Sequence, residues 1–341
     1  MSVLNRVNPN IETQNKVLNL DSSNFLCYYS DQAAWLMAVF SELSYQDFMP
    51  SRVEALQTES LQQSQGGSEQ KCLLLPSAVS MNSVICGRSI SIVECSKFIQ
   101  AFETELGTDA LLAETPFSYV LAFRGTELAS LSDLKTNAKA TLIHSGSAGR
   151  VHKGFFKAYQ SIEDPLIEAL SHLQENKTLI ITGHSLGGAL ATIAARELES
   201  RYNIAACYTF GAPRVGDEVW CGKIKTKIYR VVNAADPVTM LPPNGIGCLK
   251  HILCSVPLLG AKVNDLLADT FFSYSHAGEV RYLTNCKNTQ YDKVKLLNSV
   301  SLFSLLKAIL MGRLPFKKAL SDHSITVYRK KLAIIALQFC E

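Results

Sequence analysis

Several features that would assign a function at once are missing from this sequence. The 341 residues carry a net charge of only +3, so the strongly basic surface of a nucleic-acid-binding protein is absent. No apolar stretch reaches about 18 residues, so no transmembrane helix is predicted. The ten cysteines include no Cys-x-x-Cys pair, and we expect no metal centre. What remains is a globular chain long enough to bury a sizeable core.

The first residues also lack the signal for secretion. Residues 1–23, MSVLNRVNPNIETQNKVLNLDSS, contain no apolar segment like that of a signal peptide. We therefore expect a protein that is cytoplasmic as synthesised, with cysteines that are mostly reduced. Export by a route that needs no signal peptide stays open.

Short apolar segments alternate with helical ones along most of the chain. Strands are expected at residues 89–95, 108–114, 118–125, 178–182, 204–210 and 227–233, and helices at 30–48, 154–176, 188–202 and 322–339. The strands are almost continuously apolar, which is typical of strands buried on both faces. The alternation predicts an α/β fold with a mostly parallel sheet and helices on both faces.

One junction between a strand and a helix has an unusual composition. Residues 179–195 read LIITGHSLGGALATIAA, a Gly-x-Ser-x-Gly turn between a strand and an alanine-rich helix. This is the setting of a nucleophile elbow, in which a sharp turn projects the serine hydroxyl. Cβ atoms at Gly183 and Gly187 would clash with the neighbouring strand and helix. Ser185 is the candidate nucleophile, and the Leu186 N–H at the helix start is a candidate oxyanion donor.

A serine nucleophile needs a base, and the base needs an acid to orient it. After a nucleophile elbow the chain order is serine, acid, histidine. Asp236 follows the end of a predicted strand and is the candidate acid, whereas Asp217 is more typical of a loop or helix cap. Three histidines follow the serine, and spacing alone does not choose between the last two: His251, His276 and His323.

Six segments, taken in order, resemble the class 3 lipase family, the fungal triacylglycerol lipases and their bacterial and plant relatives. They are VLAFRGTE (120–127), VHKGF (151–155), GHSLGGALA (183–191), TFGAPRVGD (209–217), YRVVNAADPVTMLPP (229–243) and DHSITVY (322–328). The resemblance covers about residues 117–328 and implies an α/β-hydrolase fold. Residues 29–45 look like the helix that precedes the core in bacterial members, which suggests a bacterial-type member.

The resemblance also implies roles for individual residues. It makes Ser185 the nucleophile, Asp236 the acid and His323 the base. Thr126 matches the second oxyanion position, beside the Leu186 N–H. No metal or organic cofactor is implied. Four further residues are expected to be structural: Arg124, His152, His184 and His276.

The whole chain, residues 1–341, is expected to be a single α/β-hydrolase domain. It would comprise an N-terminal extension (1–116), a lipase-like core (117–330) and a helical insertion at about 285–320. Within the insertion, residues 296–316 carry one apolar helical face, which would either pack on the core or act as an interfacial helix or lid. Fungal members carry a tryptophan in the lid after their Phe-Arg-Gly motif, whereas residues 128–149 contain none.

The function implied is hydrolysis of lipid carboxylic esters through an acyl-enzyme, with peripheral contact at a lipid surface allowed. Two alternatives within the enzymes are a phospholipase A1 and an esterase for short or aromatic esters. An alternative of another class is a catalytically silent lipase-like protein used for interaction. The intact set of serine, aspartate and histidine argues against that last alternative.

Overall fold

A computed structural model describes residues 29–46, 96–125, 141–146, 148–234, 236–242, 274–286, 291–299 and 321–338. The helices are α1 (Asp31–Leu43), α2 (Lys153–Ser171), α3 (Leu186–Leu198), α4 (Glu218–Gly222) and α5 (Ile325–Gln338). The first strands are β1 (Lys97–Glu103), β2 (Asp109–Glu114), β3 (Ser118–Phe123), β4 (Leu142–Ile143), β5 (Val151–His152) and β6 (Thr178–His184). The later strands are β7 (Ile204–Phe210), β8 (Gly216–Asp217), β9 (Ile228–Asn233), β10 (Tyr274–Ser275), β11 (Glu279–Leu283) and β12 (Leu296–Leu297).

Eight of these strands form one sheet in the order β1-β2-β3-β6-β7-β9-β11-β12. Its five central strands, β3, β6, β7, β9 and β11, run parallel. Antiparallel pairs add β2 and β1 on one side and β12 on the other. A smaller antiparallel sheet has the order β10-β8-β5-β4. The mostly parallel sheet that the alternating pattern predicted is confirmed.

Both faces of the large sheet are covered, which explains the unbroken apolar strands. Every residue of β3 is buried. Val120 and Ala122 lie in a core shared with α1 and α5. Leu121 and Phe123 lie in a second core, shared with α2 and α3, on the opposite face. Successive side chains of a strand point to opposite faces, so a strand between two helical layers must be apolar throughout.

The helix α1 ties the strand that precedes Ser185 to the last helix, α5. It begins at a Ser30 cap, whose hydroxyl accepts the Ala33 N–H at 3.0 Å, and it ends at Leu43 rather than continuing to residue 48. The Ser41 hydroxyl hydrogen-bonds the Thr182 hydroxyl on β6 at 2.9 Å. Thus α1 packs against the sheet and belongs to the core of the fold, although it comes from the predicted N-terminal extension.

A buried ion pair completes the contact between α1 and α5. The Arg329 guanidinium, whose side chain is 6% exposed, donates to the Glu42 carboxylate, which is 15% exposed. Thr326 donates to the same carboxylate at 2.6 Å. These bonds give the buried guanidinium a partly buried carboxylate as its partner, without which the positive charge would be costly in the interior.

Two strands depart from the sequence expectations. β1 was not predicted, and the strand expected at residues 89–95 lies outside the described residues. Leu296 and Leu297 were expected to begin a helix but pair with Leu283 and Tyr282 of β11. Backbone pairing with the edge of the sheet outweighs the helical periodicity there. Residues 300–320 lie outside the described residues, so the division into core and insertion stays a prediction.

None of the helices in the described part of the chain is long and apolar enough to cross a membrane.

The Glu42–Arg329 pair gives a first test. Glu42→Ala leaves a buried guanidinium without its carboxylate and should lower the free energy of unfolding by about 3 kcal/mol. Glu105→Ala, which removes an exposed carboxylate, should change it by less than about 0.5 kcal/mol. Urea unfolding followed by circular dichroism measures both, and equal effects would show that the pair does not hold α1 to α5.

Candidate active site

The turn that carries Ser185 is strained, as a nucleophile elbow requires. Ser185 separates β6 from α3 and has φ 58° and ψ −127°. Residues other than glycine rarely adopt this backbone conformation, which costs on the order of 1–3 kcal/mol. The Ser185 N–H donates to the Phe210 carbonyl of β7 at 2.9 Å and so holds the turn in place. The neighbouring strand and helix therefore stabilise a conformation that the serine alone would not keep.

The two glycines of the elbow are needed for space. A Cβ atom on Gly183 would overlap the Gly187 carbonyl, and one on Gly187 would overlap the Phe123 carbonyl of β3. Both overlaps are with backbone, which cannot rotate out of the way. The predicted clashes are therefore present, and the elbow closes only with glycine at both positions.

Ser185, His323 and Asp236 form one hydrogen-bonded chain. His323 Nδ1 lies 2.9 Å from Asp236 Oδ2 and 3.0 Å from Oδ1, and Nε2 lies 2.8 Å from Ser185 Oγ. An ionised carboxylate only accepts, so Nδ1 carries the proton and Nε2 accepts from the serine hydroxyl. Each of the three residues is 1% exposed. The arrangement can move the serine proton to His323 while Asp236 holds the imidazole tautomer.

Two further donors hold the Asp236 carboxylate. The Tyr328 hydroxyl of α5 donates to Oδ2 at 2.6 Å, and the Val238 N–H donates to Oδ1 at 2.9 Å. Burial, and then the charge of Asp236, raise the pKa of Tyr328 well above its usual value, so it stays a donor. Sequence reasoning assigned Tyr328 no role, and its only signal was its place in the DHSITVY segment.

A cluster of polar groups at the end of β9 and on α5 holds the loop that carries His323. The Asn233 amide at the end of β9 donates to the Asp322 carbonyl at 2.7 Å. The Lys331 ammonium of α5, 1% exposed, donates to Asn233 Oδ1 at 2.6 Å and to the Thr284 carbonyl at 2.9 Å. The last residue of β9 therefore holds the main chain next to the histidine. Spacing in the sequence gave no sign of this cluster.

The predicted oxyanion donors are only partly described. Leu186 is the first residue of α3, where backbone N–H groups have no acceptor within the helix and favour negative charge. Its N–H is therefore placed beside the serine at the start of a helix. Thr126 lies outside the described residues, and its part in an oxyanion hole stays a prediction.

Of the other histidines after Ser185, His276 bonds a main-chain carbonyl, and His251 lies outside the described residues. His276 Nε2 donates to the Thr239 carbonyl at 2.8 Å. Burial, with the nearby charges of Arg230 and Arg214, lowers the pKa of His276 to about 2. His276 is thus a neutral hydrogen-bond donor that holds the segment after Asp236.

The remaining predicted residues have local partners. His152 caps α2, because its Nδ1 accepts the Gly154 and Phe155 N–H groups at 3.1 and 3.2 Å. Asp217, the rival acid, caps α4 by accepting the Trp220 N–H at 2.8 Å. Arg124 pairs with Asp109 at 3.4 Å. Within the described residues, no group of three His, Cys, Asp or Glu side chains is placed to hold a metal ion.

The neutral state of His276 predicts an acid-sensitive fold. Its pKa is lower in the folded chain than the ordinary 6.5, so the unfolded chain binds more protons below that pH. Stability should be complete above about pH 6.5 and fall as the pH is lowered, by at most about 1.4 kcal/mol per pH unit from this group. His276→Gln should reduce this slope in urea unfolding between about pH 7 and about pH 5. An unchanged slope would show that His276 is not held neutral.

Solved structures that resemble this chain share its fold. The crystal structure of the mono- and diacylglycerol lipase from Aspergillus oryzae matches with a TM-score of 0.59 at 20% identity. The match covers 91% of this chain and 100% of that one. At this identity the likeness concerns the fold alone, which is that of an α/β-hydrolase.

Similarity in sequence to curated proteins covers a shorter part of the chain than similarity in fold does. The Arabidopsis thaliana chloroplastic phospholipase A(1) DAD1 is 34% identical over 36% of this chain and 33% of its own length. The secreted mono- and diacylglycerol lipase 1 of Fusarium solani is 38% identical over 27% of this chain and 30% of its own length. This chain thus spans between about a third and about a half of the length of the curated relatives it matches.

These relatives correct two expectations. The expectation of a cytoplasmic protein is wrong, because the relatives whose names give a location are secreted or chloroplastic. The absence of an apolar segment at the start of the sequence was too weak a sign. The bacterial-type assignment is not borne out, since these relatives come from fungi and a plant.

Part of the core matches a known family model. Residues 120–245 match the family model described as lipase (class 3). This segment contains Ser185 and Asp236, and the fold then brings in His323 from outside it. Residues 120–245 therefore resemble the class 3 lipase family, as the six sequence segments predicted, and the resemblance in fold extends over most of the chain.

Proposed function

We propose that this chain hydrolyses carboxylic esters of lipids by acyl transfer to Ser185. The observation that carries the proposal is the hydrogen-bonded chain from Ser185 Oγ through His323 to Asp236, with the serine at the start of α3. The names of the relatives, mono- and diacylglycerol lipases and a phospholipase A(1), support a lipid ester as the substrate.

The first half of the reaction forms an acyl-enzyme. Ser185 Oγ attacks the carbonyl carbon of the ester while its proton passes to His323 Nε2. The carbonyl oxygen becomes an oxyanion, which the Leu186 N–H and the predicted Thr126 donors would stabilise. The bond to the alcohol oxygen then breaks, and the His323 proton goes to the departing alcohol. Asp236 stabilises the imidazolium formed between these steps.

The second half returns the enzyme to its starting state. His323 takes a proton from water, and the hydroxide oxygen attacks the acyl carbon. The bond to Ser185 Oγ then breaks, the carboxylic acid leaves, and the proton on His323 returns to the serine. Atoms and charges balance without a metal or organic cofactor.

We also propose which lipid esters the enzyme cleaves and where it meets them. Long-chain esters gather in droplets and membranes, and we propose that this chain meets its substrate at a lipid surface. Acylglycerols are the first candidates, and phospholipids cleaved at one acyl ester are the second, because a phospholipase A(1) is among the relatives.

Replacement of the serine tests the reaction. Ser185→Ala should keep the fold and lose ester hydrolysis by about four orders of magnitude or more, since the base then has no nucleophile to activate. The variant should also resist labelling by a fluorophosphonate. Ser161→Ala removes a serine that bonds the Ala158 carbonyl of α2 and should be labelled normally. Labelled or active Ser185→Ala protein would reject the proposal, as would a wild-type chain that takes no label, which is the outcome expected of a silent interaction protein.

A substrate panel separates the alternatives within the enzymes. Turnover of triacylglycerol, diacylglycerol, phosphatidylcholine and a short p-nitrophenyl ester would be compared at equal concentrations of active sites, which are titrated with the fluorophosphonate on a separate sample. Activity on the short ester alone would reject a lipid substrate.

The donor to Asp236 can be tested separately. Tyr328→Phe removes the hydroxyl that donates to the buried carboxylate and should lower kcat/KM about tenfold and the free energy of unfolding by about 2 kcal/mol. Tyr119→Phe removes a hydroxyl that accepts the Gln174 N–H, in a strand residue remote from the elbow. It should cost about 1 kcal/mol of stability and leave kcat/KM unchanged. Full activity in Tyr328→Phe would show that Asp236 does not need this donor.

A further inference from the structure

A tyrosine from outside the family match lies beside the elbow. Tyr45 follows the end of α1, and its hydroxyl oxygen is 2.8 Å from His184 Nδ1. A Cβ atom on Gly125 would overlap that hydroxyl and lie 3.2 Å from Ser185 Cβ, so all three residues are close neighbours. On its other side, His184 Nε2 is 2.6 Å from the main-chain carbonyl oxygen of His323.

The direction of these hydrogen bonds follows from chemistry. A carbonyl oxygen only accepts, so Nε2 of His184 carries a hydrogen. Burial, and next the adjacent His323, lower the pKa of His184 well below its usual value, so the ring is neutral and Nδ1 accepts. The Tyr45 hydroxyl is then the donor. One continuous relay runs from Tyr45 through His184 to the carbonyl of His323.

The relay acts on the histidine that serves as the base. His323 is held at its ring by Asp236 and at its backbone by His184. The ring centroids of His184 and His323 are only 4.7 Å apart, so a charged His184 would oppose an imidazolium on His323. A donor at Nδ1 favours the neutral ring with hydrogen on Nε2.

We propose that Tyr45 and His184 are positioning residues that fix the main chain and hence the ring of His323 for proton transfer. The inference rests on the proposed function. Packing alone does not require a tyrosine at position 45, because phenylalanine would fill the same space. What the tyrosine adds is the hydroxyl that bonds His184. An element before the matched residues 120–245 thus becomes part of the catalytic machinery.

The first experiment compares two single-atom deletions. Tyr45→Phe removes the donor to His184 and should lower kcat on a soluble short ester about tenfold with KM unchanged within about twofold. Tyr202→Phe removes a hydroxyl that donates to the Ile167 carbonyl at 3.4 Å and should leave both constants unchanged. Rates are taken per serine labelled by fluorophosphonate, so a loss of folded protein does not imitate a loss of kcat.

The second experiment changes His184 itself and does not depend on how well Tyr45→Phe folds. Glutamine can keep a donor near the position of Nε2, whereas asparagine is too short to reach the His323 carbonyl. His184→Gln should therefore retain kcat within about threefold of the wild type, and His184→Asn should lose about tenfold or more. Adding Tyr45→Phe to His184→Asn should cause little further loss, because the relay is already broken.

The outcomes separate the inference from the proposed function. An active wild type with equal kcat in Tyr45→Phe and Tyr202→Phe would overturn the relay and leave the function standing. Equal losses in His184→Gln and His184→Asn would also overturn it, since the donor to His323 would then be irrelevant. A folded wild type without ester turnover would reject the proposed function, and the relay with it.

Discussion

The buried carboxylate of Asp236 is the constraint on which the site depends. An ionised group with 1% exposure is costly in the interior unless hydrogen bonds replace its water. Its donors come from His323, from Tyr328 of α5 and from the Val238 backbone. Bonds that stabilise the charge therefore also dock α5 against the sheet. The acid of the proposed triad and the packing of the last helix are one arrangement.

The parts of the structure that depend on neighbouring residues could be predicted from the sequence. The strand before Ser185, the helix after it and the need for Gly183 and Gly187 all follow from one contiguous segment. The mostly parallel sheet follows from the alternation of apolar strands with helices. The base is different, because spacing left His276 and His323 open and only the family resemblance chose between them. The structure places His323 against Ser185, and its role as base remains a proposal.

Contacts between distant segments could not be predicted. Tyr45 meets His184 across 139 positions, and Lys331 meets Asn233 across 98. No periodicity or motif connects such pairs, since they depend on where the sheet and α5 finally lie. The same holds for Leu296 and Leu297, where pairing with β11 replaced the expected helix. Polar residues that support the site were missed because their own sequence neighbourhoods look ordinary.

The order of these residues along the chain has a consequence for biosynthesis. Ser185 leaves the ribosome 138 positions before its hydrogen-bond partner His323, and α1 must wait for α5 before the Glu42–Arg329 pair can form. A growing chain can thus complete the elbow while it still has no base. Under the proposed function, the serine has no base until α5 folds back on α1, so incomplete chains would not hydrolyse the lipids of the cell that makes them.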